Sequence, residues 1–387
     1  MDPKKPAILS ISLLNVMTNS AMAPMLELIS RSFPESGPTL IRQVMTIPSI
    51  MIILFSIISG QLEKIIPKKA ILAIGLCIYL ISAFFAARSS SITTLIIFRA
   101  VTGAGAGLFI PLSNSLITDF YKGKERAEMV GYSTFAAFSG AALAPLLTGW
   151  IARDRWQNAF YIYLIAILVL AVTMLYVPKQ SGLKKIPNSI NARKINSAVL
   201  LMAITGCLMY VIFYLMPTDI SFLISKIEGA GPIQASALHA IQIIIAALAG
   251  VIYSHFSRKI ADKAFPLGFI LLSLGFIILF AGTTFPLLTL GMVIVGLGIG
   301  TLRPLILFKT SQASPQESTT TSFALVNSGF SLGQFFSPFF YYSVAGIFSF
   351  SHMYSGYLFA ALSFLAIGIL TAIITIPKSS SSHHPIT

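Results

Sequence analysis

The sequence predicts an all-α membrane protein, with twelve transmembrane helices in two pseudo-symmetric six-helix bundles. Three observations predict it. Of 387 residues, 56% are hydrophobic and only 10% are charged, with a mean hydropathy of +0.85. A soluble chain carries about 25% charged residues. Apolar runs of about 18 residues or more recur from end to end, each long enough to cross a hydrocarbon layer roughly 30 Å thick as helix. Sliding the chain against itself by 193 residues, as from Gly103 to Gly296, superposes seven Gly or Pro positions.

In lipid every backbone amide must be satisfied within its own segment, so the runs are read as helices. They fall at approximately 7–30, 41–60, 70–87, 92–118, 129–151, 158–177, 197–223, 233–256, 264–281, 286–308, 318–346 and 353–377. The first has signal-peptide features, with Lys4 and Lys5 before an apolar run and "AMA" ending at Ala23. Pro24 would follow the cut and the run continues past it, so it is read as a retained helix. Twelve spans place both termini on one side. The termini and the loops of that side hold eighteen Lys and Arg; the other side holds Arg31, Arg42, Arg88, Arg153, Arg155 and Lys226. By the positive-inside rule the termini are cytoplasmic, in the cell (inner or plasma) membrane. The net charge of +14 is thus a topology signal with some attraction to anionic head groups, not a nucleic-acid surface. Cys77 and Cys207 both fall in apolar spans, which implies neither a disulfide framework nor a metal site.

The repeat is specific. "GAGAGLFIP" at 103–111 pairs with "GLGIGTLRP" at 296–304, both reading G-x-G-x-G-x-x-x-P, and at the same offset Gly140 meets Gly333, Pro145 meets Pro338 and Pro24 meets Pro217. Spans 1, 4 and 5 therefore echo in spans 7, 10 and 11. The domain plan is a first bundle over 1–178, a basic cytoplasmic linker over 179–196, a second bundle over 197–378 and a polar tail over 379–387. The chain is read as a monomer.

Span 5 contains "GYSTFAAFSGAALAPLLTGW", 131–150. Gly and Pro cost a helix about 1 and about 3 kcal/mol relative to Ala in water. In a membrane small residues instead let helix backbones approach closely, and Pro bends the helix. Gly131, Gly140, Ala144-Pro145 and Thr148-Gly149 fall on the positions of a Gly-x8-Gly-x3-Gly-Pro-x2-Gly-Gly pattern. Two of its glycines are replaced, by Ala144 and Thr148. That pattern resembles the antiporter motif of proton-driven exporters in the Major Facilitator Superfamily, whose six-plus-six plan with a basic central loop this sequence also resembles. The resemblance implies two bundles that rock about a midplane site.

The loop "GQLEKIIPKK", 60–69, resembles a second signature of that family at Gly60, Leu62, Lys68 and Lys69, and departs from it at Lys64, Ile65 and Pro67. Glu63 stands beside the position where the family has its Asp. Asp119 and Arg126 in "DFYKGKERAE" match the acidic and basic pair after span 4. Together they imply a cytoplasmic latch of Lys68 or Lys69 with Asp119; simple positive-inside anchoring is the alternative.

Arg99, four residues before Gly103, resembles the exporter motif R-x-x-x-G-x-G, which implies a cavity-facing arginine tied to proton coupling. A charge inside a span costs at least about 2.5–3.5 kcal/mol and normally faces the interior. Arg99 cannot titrate usefully, so its work is either to act on a carboxylate or to hold a substrate anion; snorkelling outward is the other reading. The in-span carboxylates are Glu27, three residues after Pro24, and Asp219, two after Pro217. Both are candidates for proton coupling, with Arg42 a possible partner of Glu27. Asn15 stands where another branch of the family carries a titratable Asp, and can bond substrate without titrating. Arg303, beside Pro304, suits either an anionic group or lipid phosphates. His239 is read either as a titrating group or as a packing residue, and Trp156 as an interfacial anchor.

No Walker-type loop offers nucleotide hydrolysis, no cofactor or metal cluster is apparent, and no extramembrane segment is long enough for an enzyme domain. The expectation is a proton-coupled transporter, not an enzyme, that exports small lipophilic, drug-like solutes by alternating access. Its partners are substrate, protons and the bilayer. The alternatives are uptake of a sugar or organic anion, translocation of a lipid or glycolipid and, in a different class, an intramembrane enzyme or channel.

Overall fold

A computed structural model describes residues 4–178, 196–314, 319–347 and 353–375. Apart from Asn196 the expected linker lies outside the described residues, as does the 379–387 tail. The described residues contain no strand. Among the described residues thirteen helices succeed one another: α1 (Lys4–Ser20), α2 (Leu26–Ser32), α3 (Pro38–Leu62), α4 (Lys68–Ala86), α5 (Ile92–Phe120), α6 (Gly123–Ile151), α7 (Ile165–Tyr176), α8 (Ser197–Phe213), α9 (Leu215–Ile224), α10 (Pro232–Ala281), α11 (Phe285–Ala313), α12 (Thr319–Ile347) and α13 (Met353–Thr375). Two 310 segments, Ala23–Met25 and Trp156–Leu164, interrupt the first span and open the sixth. Eleven stretches of the described residues are long and apolar enough to cross a membrane. α12 is 29 residues long but less apolar, and is not among them.

Prolines set the breaks. Pro24 has no N–H for the carbonyl of Ser20, and α1 stops at Ser20; Met22 N then donates to Asn19 O at 3.2 Å. In the second half Pro217 stands in the same relation to Phe213, and α8 stops at Phe213. The two breaks lie 193 residues apart, so the repeat read in the sequence is one of backbone geometry as well as composition.

The glycine triads repeat in the same way. Added Cβ atoms at Gly103 and Gly107 would come within 2.6 Å of Pro48 O and 2.8 Å of Ile52 O on α3, while one at Gly105 would meet Gly75 O of α4 at 2.7 Å. On α11, Gly296 and Gly300 press against Gln242 and Ala246, and Gly298 against Leu272. In each half the outer two glycines seat one helix and the middle glycine seats the next, because positions two apart on a helix face different neighbours.

Residues 232–281 form one helical element of 50 residues where two spans were expected. Straight, it would be about 75 Å long. Its two arms instead run oppositely along α11: residues 242, 245 and 246 meet 296 and 300, while 268, 272 and 275 meet 302, 298 and 295. Tyr253 and Ala264 accordingly share one small core with Leu305. The eighth and ninth spans are thus its arms.

By proximity the chain falls into two units, Met1–Ala192 with Pro217–Ala240, and Arg193–Met216 with Ile241–Thr387. The last part of the seventh span and the first turns of the eighth, residues 217–240, therefore pack with the first six spans.

Candidate functional site

The first unit encloses a polar knot centred on Arg99, whose side chain is wholly buried. Nε donates to Val44 O, Nη1 to Tyr163 Oη and Nη2 to Thr18 O, each at 2.8 Å. Tyr163 Oη also donates to Thr18 O at 2.9 Å, and Thr18 Oγ1 lies 3.2 Å from Tyr79 Oη. Both accepting carbonyls are free for a local reason. The proline at Pro48 denies Val44 its helical partner, and the break after Ser20 sends Met22 N to Asn19 instead of Thr18. One arginine thereby ties α1, α3, α5 and the 156–164 segment together. No carboxylate among the described residues lies within ion-pair distance of it, and burial removes the snorkelling reading. The position 193 residues on is Met292, also fully buried, so the knot is not duplicated.

The second charged feature joins α3 to α9. Asp219 is wholly buried, and its Oδ1 accepts from Arg42 Nε at 2.6 Å with Nη2 at 2.6 Å. Arg42 also donates to Pro38 O at 3.2 Å and lies over the Phe222 ring at 5.4 Å. Asp219 Oδ2 is buried with no hydrogen-bond partner. Glu27 differs: it pairs with Arg31 one turn along α2, as residues four apart on a helix do, with 14% of its side chain exposed. Arg42, considered in the sequence as a partner for Glu27, is held by Asp219 instead. The backbone N–H of Glu27 donates to Ser221 Oγ at 3.2 Å, bringing α2 to α9.

Asn15 is half-buried, and its side chain hydrogen-bonds to none of the described residues. Arg303 belongs to the second unit, half-buried over the Phe330 ring at 5.6 Å. His239 is buried, with Nδ1 unpartnered. Trp156, expected as an interfacial anchor, is only 2% exposed and packs between Phe33 and Phe160, because the 310 segment turns it inward.

The motif of the fifth span divides along α6. An added Cβ at Gly140 would overlap the carbonyl of Leu13 on α1, and one at Gly149 would overlap Ser236 and reach Pro232 O at 2.8 Å. Ala144 and Thr148 are buried, and Thr148 Oγ1 donates back to Ala144 O. Gly131 faces open space. Pro145 lies inside α6 without ending it.

At the Lys-rich end, Lys68 Nζ meets Asp119 Oδ2 at 2.7 Å and Glu63 Oε2 at 3.5 Å, and donates to Ser115 Oγ. Lys69 donates to Met174 O at 2.7 Å, satisfying a carbonyl in the last turn of α7. Gly60 is open, and Arg126 is exposed with no ion pair among the described residues. This cluster joins the ends of α3, α4 and α5 within one unit. Sequence reasoning missed Thr18, Tyr79, Tyr163 and Ser115. The signal was present for Thr18 and the α3 acceptor, since each proline in a span frees a carbonyl four residues earlier or forces a break near it.

A duplicated set of helices sized to a bilayer, with buried charged groups inside, is the architecture of a multi-pass membrane protein. The profile of the Major Facilitator Superfamily matches residues 8–338 and 202–386, and the chain belongs to that superfamily of transporters. It is 32% identical over 121 residues to the multidrug transporter protein MdtP of Bacillus subtilis, a stretch covering 30% of this chain and 22% of that protein. It is 28% identical over 125 residues to the quinolone resistance protein NorA of Staphylococcus aureus, covering 32% of each. The matched stretches thus span under a third of those relatives. Among solved structures, the nucleoside transporter NupG superposes with a TM-score of 0.79 at 14% identity, covering 96% of this chain and 99% of that one. A bacterial homologue of the human lysosomal transporter Spinster superposes with a TM-score of 0.77 at 14% identity, covering 98% and 96%.

Proposed function

We propose that the protein is a proton-coupled exporter of small lipophilic solutes, working by alternating access in the cell membrane with both termini in the cytoplasm. Export is supported by the small-residue motif of α6 and by the names of the two relatives. The observation that carries proton coupling is Asp219, a wholly buried carboxylate with one oxygen held by Arg42 and the other unpartnered. A buried pair that loses one charge while keeping the other costs about 3–5 kcal/mol. Protonation of Asp219 at Oδ2 therefore weakens its hold on Arg42 and loosens α3 from α9, and deprotonation restores it. A proton moving down 100 mV supplies about 2.3 kcal/mol, comparable with that change. Glu27, already paired with Arg31, is the secondary candidate. Arg99 keeps the frame of α1, α3 and α5 in register while the pair opens, and Asn15 and Arg303 offer polar contacts to solute.

Reconstitution into liposomes with an imposed pH gradient and a panel of lipophilic dyes, quinolones, sugars and lipids tests this reading. Dye or drug flux should follow the gradient in the wild type, and Asp219→Asn should lose that dependence while Glu27→Gln keeps most of it. Flux that ignores the gradient in the wild type would falsify the coupling; flux confined to sugars or lipids would overturn the choice of solute.

A further inference from the structure

On the Lys-poor side of the first unit a cavity of about 640 Å³ opens between the ends of α2 and α4 and the 156–164 segment. Three of the six cationic residues on that side, Arg31, Arg88 and Arg155, line it, with Asp154 and Trp156. This convergence runs against the bias that thins Lys and Arg on the side opposite the termini. The acid there does not neutralise it. Asp154 faces Arg153 at 3.3 Å, giving four arginines to one aspartate locally, and Arg31 has only Glu27. Arg88 uses one nitrogen on Phe84 O at 3.3 Å and lies over the Phe84 ring at 3.6 Å, leaving donors unspent. The Arg155 side chain makes no hydrogen bond or ion pair with any described residue. The buried indole N–H of Trp156 also lacks an acceptor. A concave site with surplus donors and surplus positive charge calls for an anion with several acceptor oxygens. Guanidinium forks match phosphate in both geometry and charge.

We propose that this cavity binds a phosphate group, delivered either as a phospholipid head group from the adjoining leaflet or as free phosphate. It is separate from the Arg42–Asp219 pair, neither of whose residues lines it.

The test uses the full purified chain in a neutral detergent, with thermal unfolding and native mass spectrometry as readouts. Phosphatidylglycerol, the matching diacylglycerol without a head group, and inorganic phosphate are added separately. Stabilisation by phosphatidylglycerol but not diacylglycerol supports the site with lipid as its source. Stabilisation by inorganic phosphate alone supports it with a free anion as its source. The double variant Arg88→Gln/Arg155→Gln, both positions being exposed, should fold and bind at least about tenfold more weakly. Lys226→Gln, on the same side but outside the cavity, should bind as the wild type does. Equal effects of phosphatidylglycerol and diacylglycerol, no effect of either phosphate source, or unchanged affinity in the double variant would each overturn the proposal.

Discussion

Arg99 and Arg42 show how two similar side chains acquire different work. Arg99 spends its donors on two carbonyls that a proline and a helix break left open and on the Tyr163 hydroxyl, so its charge is dispersed over neutral dipoles. Arg42 meets a wholly buried carboxylate whose other oxygen has no hydrogen-bond partner. The first is a structural tie and the second a candidate switch. Arg99→Met should therefore lower unfolding stability by roughly 2–4 kcal/mol, since it leaves Val44 O and Tyr163 Oη without their buried partner. Tyr163→Phe should cost less, about 1–2 kcal/mol. Thermal unfolding in detergent checks both, and an Arg99→Met protein that melts with the wild type would remove the knot from the account. In transport, Tyr163→Phe should retain gradient dependence, whereas Asp219→Asn should not.

At the scale of the element, small residues act by what they touch. Gly140 and Gly131 belong to one sequence motif, yet only Gly140 lies against another backbone. Gly140→Val should prevent stable accumulation of folded protein, because its side chain would occupy the place of the Leu13 carbonyl. Gly131→Ala, in open space, should be neutral or stabilise by up to about 1 kcal/mol, the ordinary helix preference for Ala. Detergent-extracted yield and melting temperature separate the two. The Lys68 cluster allows a double-mutant cycle. Lys68→Gln and Asp119→Asn should show a coupling of about 1 kcal/mol for a pair with only 14% and 15% of its side chains exposed. Lys69→Gln combined with Asp119→Asn should be additive, since Lys69 reaches Met174 O instead.

At the scale of the whole molecule, the duplicated plan carries unequal contents. Both halves repeat the helix break before a proline and the glycine triads of the fourth span, but Arg99 is answered only by Met292. The two halves thus share a scaffold, and the Arg99 knot belongs to the first alone among the described residues. Residues 217–240 pack with the first six spans, so the chain passes between units within the seventh and eighth spans as well as at the linker. Orientation is expected from charge alone: a fluorescent protein fused to the C-terminus should fold and fluoresce, and an alkaline phosphatase fused there should stay inactive. The reverse pattern would place the eighteen-residue cationic side outside.

Much was legible because it depends on local composition. Span length follows from bilayer thickness, helix breaks from proline's missing N–H, and the fold from a repeat of Gly and Pro that any backbone of this kind needs at close crossings. The Lys68–Asp119 contact was legible as a pairing of types, and the structure chose Lys68 over its neighbour because successive helical positions point to different sides. What sequence reading could not reach were pairings far apart along the chain: Arg42 with Asp219 across 177 residues, and Arg99 with Thr18 and Tyr163. Charge type and depth in a span are local properties; which buried donor meets which buried acceptor depends on how separate helices cross, and that is decided only when they pack.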